Sequence, residues 1–240
     1  MDLIQALAAE LGKDPRHVEN VVHLLDEGNT IPFIARYRKE LHGAMDDTSL
    51  RTLEERLQYL RGLEERREAV KKSIDEQGKL TDELTAAIDS AKTLAEVEDL
   101  YRPYKQKRRT RATMAKEKGL EPLAALLFTQ ERDCPRPEEV ARDFVDPEKG
   151  VETVEDALQG ASDIIAEQIS DDAAIRKSLR ALISRQGQLV SRAATEDDSV
   201  YRLYYDFTQS VARLQGHQVL AINRGEKEGF LSATVLLDRE

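Results

Sequence analysis

The residues best suited to chemistry are concentrated in one short run. Between Arg102 and Lys118 stand eight basic side chains (Arg102, Lys105, Lys107, Arg108, Arg109, Arg111, Lys116 and Lys118) against one acid, Glu117, a local charge of +7. The whole chain carries −10, so the remainder, with 28 bases and 45 acids, holds −17. A dense cationic run in an acidic protein suits contact with a polyanion, because each Lys or Arg that meets a phosphate releases condensed counterions. Lys105, Lys107, Arg108, Arg109 and Arg111 are therefore the leading candidates for the phosphates of RNA or DNA. Arg36, Arg38 and Lys39 form a second set, although basic groups near a helix end are commonly just solvated or paired with acids. The negative average argues against indiscriminate coating of nucleic acid.

Other chemistry is scarce. His17, His23, His42 and His217 stand far apart, and the six-residue gap between His17 and His23 does not put them on one helix face for a shared metal. Cys134 neighbours Pro135 with no histidine close in sequence, and a lone cysteine forms no internal disulfide framework. Asp46-Asp47 and Asp171-Asp172 fall at helix starts, where carboxylates complement the macrodipole, and Asp197-Asp198 lies in a polar loop. There is no phosphate-cradling glycine loop, nucleophile elbow or zinc pair. The expectation is a non-enzyme without metal or cofactor. The seven tyrosines and five phenylalanines are mostly spaced for a core, including Tyr201, Tyr204, Tyr205 and Phe207.

The elements that must position the basic run read as helices. The chain has 240 residues, 40% hydrophobic, 34% charged and 5% aromatic, with only 19 Gly and Pro, a balance that favours helix and a soluble aliphatic core. The longest uncharged stretch, Leu214–Asn223, has ten residues, far short of the ~20 a membrane span needs. Met1-Asp2-Leu3-Ile4 lacks the basic start of a secretory signal, so a reducing, cytoplasmic setting is expected.

Apolar spacing predicts a helix from Leu3 to Leu11 and a second from Pro15, capped by Asp14, to Gly28. A third should run over Thr30–Leu41 and close near Gly43. These three make a helix-turn-helix-like bundle over 1–45, a shape also common in plain structural modules. Leu50, Leu53, Leu57, Leu60, Leu63, Val70 and Ile74 mark one long spine helix ending at Gly78, about 40 Å at ~1.5 Å per residue. Glu64, Arg67 and Lys71 then fall where a coiled-coil seam would continue, which excludes a strict coiled coil. Helices over 82–91 and 94–101 follow, the second opened by Thr93 with the spacing of a capping box.

The run 101–111 should be an exposed loop, followed by helices over 112–118 and 122–128. Region 46–130 thus holds the spine and the basic loop. The prolines of 131–152 mark a joint between two halves. Region 153–240 holds helices over 153–169 and 171–185, with short strands at Gln188–Ala193 and Phe230–Leu237. The fold class is mainly α: an elongated multi-helix assembly with a minor strand element near the C-terminus.

The string from Asp99 to Ala112, continuing from Ala115 to Ala124, resembles the matching segment of the Tex family of bacterial RNA-binding transcription accessory proteins. Thr30–Glu40, Leu57–Arg61 and His217–Gly229 resemble it as well. Arg102, Gln106 and Gln218 depart from the family pattern, in which an apolar residue, a proline and an arginine are expected. The resemblance implies an amino-terminal third of a longer protein that continues into a ribonuclease-H-like domain, helix-hairpin-helix units and an RNA-binding OB-fold. It also implies a helical, helix-turn-helix-like architecture for this part and a role in transcription.

Two functions follow as expectations. One is a helical module of a transcription accessory protein that contacts RNA or DNA phosphates. The other is a scaffold that docks on protein, such as RNA polymerase, with the basic loop meeting acids of its own chain or of that partner. A nucleic-acid hydrolase is a third reading, supported by no motif.

Overall fold

The computed structural model describes residues 2–106, 109–130 and 135–237. Among them are twelve α-helices and a three-stranded sheet near the C-terminus, a mainly α fold. The chain divides into two compact units, 1–106 and 107–240. That division falls within the basic run, inside the stretch 46–130 that the sequence reads as one region.

In the first unit, α1 (Leu3–Leu11) and α2 (Pro15–Asp26) begin at Asp2 and Asp14, whose carboxylates accept the first free backbone N–H groups. α3 covers only Ile31–Tyr37, shorter than the apolar spacing through Leu41 predicts. Arg38 leaves helical geometry at φ −130, ψ 33, and the chain turns through Gly43 and Ala44, both at positive φ. α4 (Asp47–Asp75) is the spine, capped by the Asp46 carboxylate on the Ser49 N–H at 2.7 Å. Its buried face is the one predicted, Leu50 through Ile74, and it adds Arg67, only 3% exposed.

α5 (Asp82–Ser90) and α6 (Leu94–Tyr101) start at Thr81 and Thr93. Leu7, Val18, Ile34, Ile88 and Val97 join the α4 face in one continuous core. Each such aliphatic side chain contributes ~1.5–3 kcal/mol by leaving water, far more than any surface pair.

One of those surface pairs has a measurable signature. The Arg61 guanidinium reaches both Asp26 carboxylate oxygens, at 2.6 and 2.8 Å, and this hydrogen-bonded contact holds the Asp26 carboxyl below its ordinary range. The stabilisation is complete above the ordinary Asp value of about 3.9 and is lost as pH falls through the lower folded-state value. With both groups nearly half exposed, at 45% and 48%, screening keeps it within about 1 kcal/mol. A carboxyl NMR titration should find Asp26 ionising below the usual Asp range, and Arg61→Gln should move its midpoint upward.

In the second unit, α7 (Arg111–Glu117), α8 (Glu121–Thr129), α9 (Pro137–Ala141) and α10 (Val154–Asp171) enclose a core rich in alanine: Ala112, Ala115, Ala124, Ala141, Ala157 and Ala161, with Leu120, Leu123 and Ile164. The small residues let the helices approach closely. The proline-rich segment read from sequence as a joint supplies Ala141 and Val151 to this core, and Asp146 and Val151 pair as an antiparallel bridge. Cys134 lies outside the described residues.

α11 (Ala173–Gln186) leads into β1 (Gln188–Ala193), the central strand of an antiparallel sheet ordered β2-β1-β3, with β2 at Asp206–Ser210 and β3 at Leu231–Leu236. Ser191 sits opposite Phe207 on one side and Ala233 on the other. α12 (Gly216–Lys227) contributes Ile222 to a small cluster with Tyr201 and Leu231. Among the described residues no helix is long and apolar enough to cross a membrane.

Candidate nucleic-acid interface

The end of the first unit is anchored just before the basic run. Tyr101 and Ser73 hydroxyls lie 3.0 Å apart, the Arg66 guanidinium stands 5.4 Å from the Tyr101 ring centroid, and the Gln77 side chain donates to the Tyr104 carbonyl at 3.0 Å. Arg102–Tyr104 form a 3-10 turn rather than the loop expected there. Lys105 follows directly, exposed and without an ion-pair partner among the described residues.

Lys107 and Arg108 lie outside the described residues. In the second unit Arg109 is exposed and pairs with Glu117, Nη2 to Oε2, at 2.9 Å, with 69% and 56% of the two side chains open to solvent. Lys116 pairs with Glu121 at 3.3 Å, and Lys118 Nζ donates to the Gly150 carbonyl at 2.7 Å.

Arg111 departs from the loop expected of 101–111, because it is the first residue of α7. The Thr110 hydroxyl caps that helix, accepting from the Thr113 N–H at 3.0 Å, and Ala112 and Ala115 seat it in the core at 3% and 4% exposure. Arg111 itself is exposed and has no ion pair among the described residues. The first turn of α7 holds no acid. A cation at this end opposes the helix dipole, at a cost of a few tenths of a kcal/mol, so helix stability does not explain a base here.

Arg36, Arg38 and Lys39 cluster where α3 ends. Unlike Arg111, they occupy the end of a helix where the dipole favours cations. The aromatics, mostly spaced for a core, include two that stand outside it: Tyr37, between Arg36 and Arg38, is 57% exposed, and Phe128, on a helix expected to enter the core, is 52% exposed. Helical spacing carries no mark of this, since Tyr37 continues the face begun by Phe33.

Fold and site together define a mainly helical protein that exposes Lys105, Arg109 and Arg111 of its basic run. A family model described as Tex-like protein N-terminal domain matches residues 1–75, and one described as Tex central region-like matches 133–240. The chain is 47% identical over 237 residues to the uncharacterized protein YdcI of Bacillus subtilis (strain 168), covering 97% of this chain and 33% of that protein. It is 43% identical over 237 residues to the transcriptional accessory protein Tex of Neisseria gonorrhoeae, covering 97% of this chain and 30% of that protein. It is 31% identical over 246 residues to S1 RNA-binding domain-containing protein 1 of Homo sapiens, covering 98% of this chain and 24% of that protein. The chain belongs to the Tex family, and it spans about a third or less of the length of these relatives.

Proposed function

We propose that the chain is a non-catalytic module of a transcription accessory protein that contacts the phosphates of RNA or DNA through Lys105, Lys107, Arg108, Arg109 and Arg111. The observation that carries this reading is Arg111, held on a helix, open to solvent, without an ion pair among the described residues, and placed where helix electrostatics favours an acid. The relatives' names, a transcriptional accessory protein and an S1 RNA-binding domain protein, point the same way. The Arg109–Glu117 pair does not block a phosphate, because an exposed pair is worth only ~0–1 kcal/mol and exchanges partners readily.

The same pair, with Lys116–Glu121, favours a second reading in which the run is partly satisfied by its own acids and the chain docks on protein, RNA polymerase among the candidates. Salt dependence separates the two. If five cations engage a single strand, log K against log salt for the 240-residue chain should slope at about −3.5, from ~0.7 per contact. Arg109→Glu with Arg111→Glu should then bring the slope to about −2 and weaken binding at least tenfold. A flat salt profile, or reversal without effect, sinks the phosphate reading. Absent nucleic-acid binding, with polymerase subunits retained by the chain, supports the second. Magnesium-dependent cleavage of RNA or DNA would overturn the non-catalytic assignment.

A further inference from the structure

α3 presents two different faces. Ile31 and Ile34 are buried at 3% and 0% exposure and fix the helix in the core of the first unit. Phe33 and Tyr37, four residues apart, lie with ring centroids 5.3 Å apart at 46°, and Tyr37 is more than half exposed. The Arg38 guanidinium is 5.4 Å from the Phe33 centroid and that of Arg36 is 6.0 Å from the Tyr37 centroid.

The arginine–aromatic contacts of Arg56 and Arg66 in this unit are, by contrast, neutralised. Arg56 over Tyr59 pairs with Glu10 at 2.8 Å, and Arg66 over Tyr101 pairs with Glu98 at 2.5 Å. At α3 no carboxylate pairs with Arg36, Arg38 or Lys39 among the described residues. An exposed ring beside Arg36 and Arg38, with Lys39 next in the chain, matches a ligand with a flat π-face and adjoining negative charge. An unpaired nucleotide has both, whereas a duplex hides its base faces and an acidic peptide leaves the ring without a partner.

We propose that Tyr37, buttressed by Phe33, is a stacking platform for one unpaired nucleobase, with Arg36, Arg38 and Lys39 taking the flanking phosphates. This rests on the nucleic-acid reading above and adds to it a site on another part of the chain, with single-stranded nucleic acid as its ligand. The platform is sequence-tolerant, since every base offers a π-face.

The chain contains no tryptophan, so Tyr37→Trp introduces a unique fluorophore at the site. Titration with an oligouridylate of about a dozen nucleotides, long enough for a typical single-strand site, should quench that fluorescence saturably. Tyr37→Ala should weaken binding roughly 5- to 150-fold, the equivalent of ~1–3 kcal/mol per stacked base, while Tyr37→Phe keeps the affinity. Arg36→Gln with Arg38→Gln should make the salt slope shallower by about 1.4.

Binding that Arg109→Glu with Arg111→Glu weakens, but that neither quenches Tyr37→Trp nor responds to Tyr37→Ala, overturns the platform and leaves the basic run standing. No oligonucleotide binding removes both. Equal Tyr37-dependent affinity for an abasic oligonucleotide or a polyglutamate peptide shows that charge alone is read, and it overturns the stacking claim.

Discussion

Replacing Arg67 by alanine is expected to lower the unfolding free energy by about 3 kcal/mol, whereas Arg67→Met stays within about 1 kcal/mol of the parent chain. Arg67 is 3% exposed in the middle of the spine helix, flanked along the buried face by Leu63 and Val70. Its Nη1 meets Glu64 at 2.6 Å and its Nη2 donates to the Ala91 carbonyl at 2.6 Å, but Nε has no partner among the described residues. The Cγ and Cδ methylenes and the guanidinium fill space that alanine leaves empty, at ~0.8 kcal/mol per CH₂ plus a cavity term. Methionine keeps most of that volume and removes a desolvated charge with one unmet donor, which offsets the lost bond to Ala91. Urea unfolding of the two variants measures the difference. Equal losses for both would mean that the guanidinium, not its stem, holds α4 to the segment after α5.

Arg67 also shows where reading the sequence stops working. The seam of α4 is legible because Leu, Val and Ile at helical spacing have few alternatives to burial, and its start is legible because Asp46 has a free N–H to accept. An arginine on the same stripe is read as surface, and only the approach of the Ala91 carbonyl and Glu64 gives it a place inside. The same division runs through the C-terminal region. β1 and β3 carry Val, Leu and Ala and are visible as strands. β2, with the sequence DFTQS, is held through its backbone pairing to β1 and shows no apolar alternation. α12 opens on Gln215, whose backbone N–H donates to the Gln218 side chain at 2.9 Å, an opening residue outside the usual Ser, Thr, Asp and Asn set.

For the candidate interface, charge density marks 105–111 in the sequence, because five cations without apolar neighbours have no core to enter. The placement of each cation was not readable. Whether Arg109 meets Glu117, and whether Arg111 stands on a helix, depends on Thr110 capping α7 and on alanines packing that helix against α10. Tyr37 is the opposite case, with a residue type that suggests burial and a position that exposes it.

Gly43→Ala should cost about 2–4 kcal/mol, more than the same change at Gly28, and the excess should vanish when His17 is also alanine. Both glycines occupy the left-handed region, at φ 58 and φ 85, where a Cβ carries a strain of roughly 1–2 kcal/mol. They differ in what that Cβ meets. At Gly28 it enters open space, while at Gly43 it falls onto the His17 imidazole, with Nδ1, Cε1 and Cγ all in its way. Gly43 is where the chain turns back after α3, just past His42, which is 1% exposed, and the half-buried Leu41, whose carbonyl accepts from the Asn20 side chain at 3.1 Å. The imidazole therefore closes α2 against that turn, and an added methyl must displace either the ring or the turn. In a double-mutant cycle, His17→Ala should leave Gly43→Ala with only the backbone strain also seen at Gly28→Ala, a coupling of about 1–2 kcal/mol. Additive losses would show that the turn yields freely and that His17 does not fix its position. Because the same turn sets the end of α3, the Gly43→Ala chain should also show altered exposure of Tyr37, readable as a shift in the fluorescence of the Tyr37→Trp, Gly43→Ala variant.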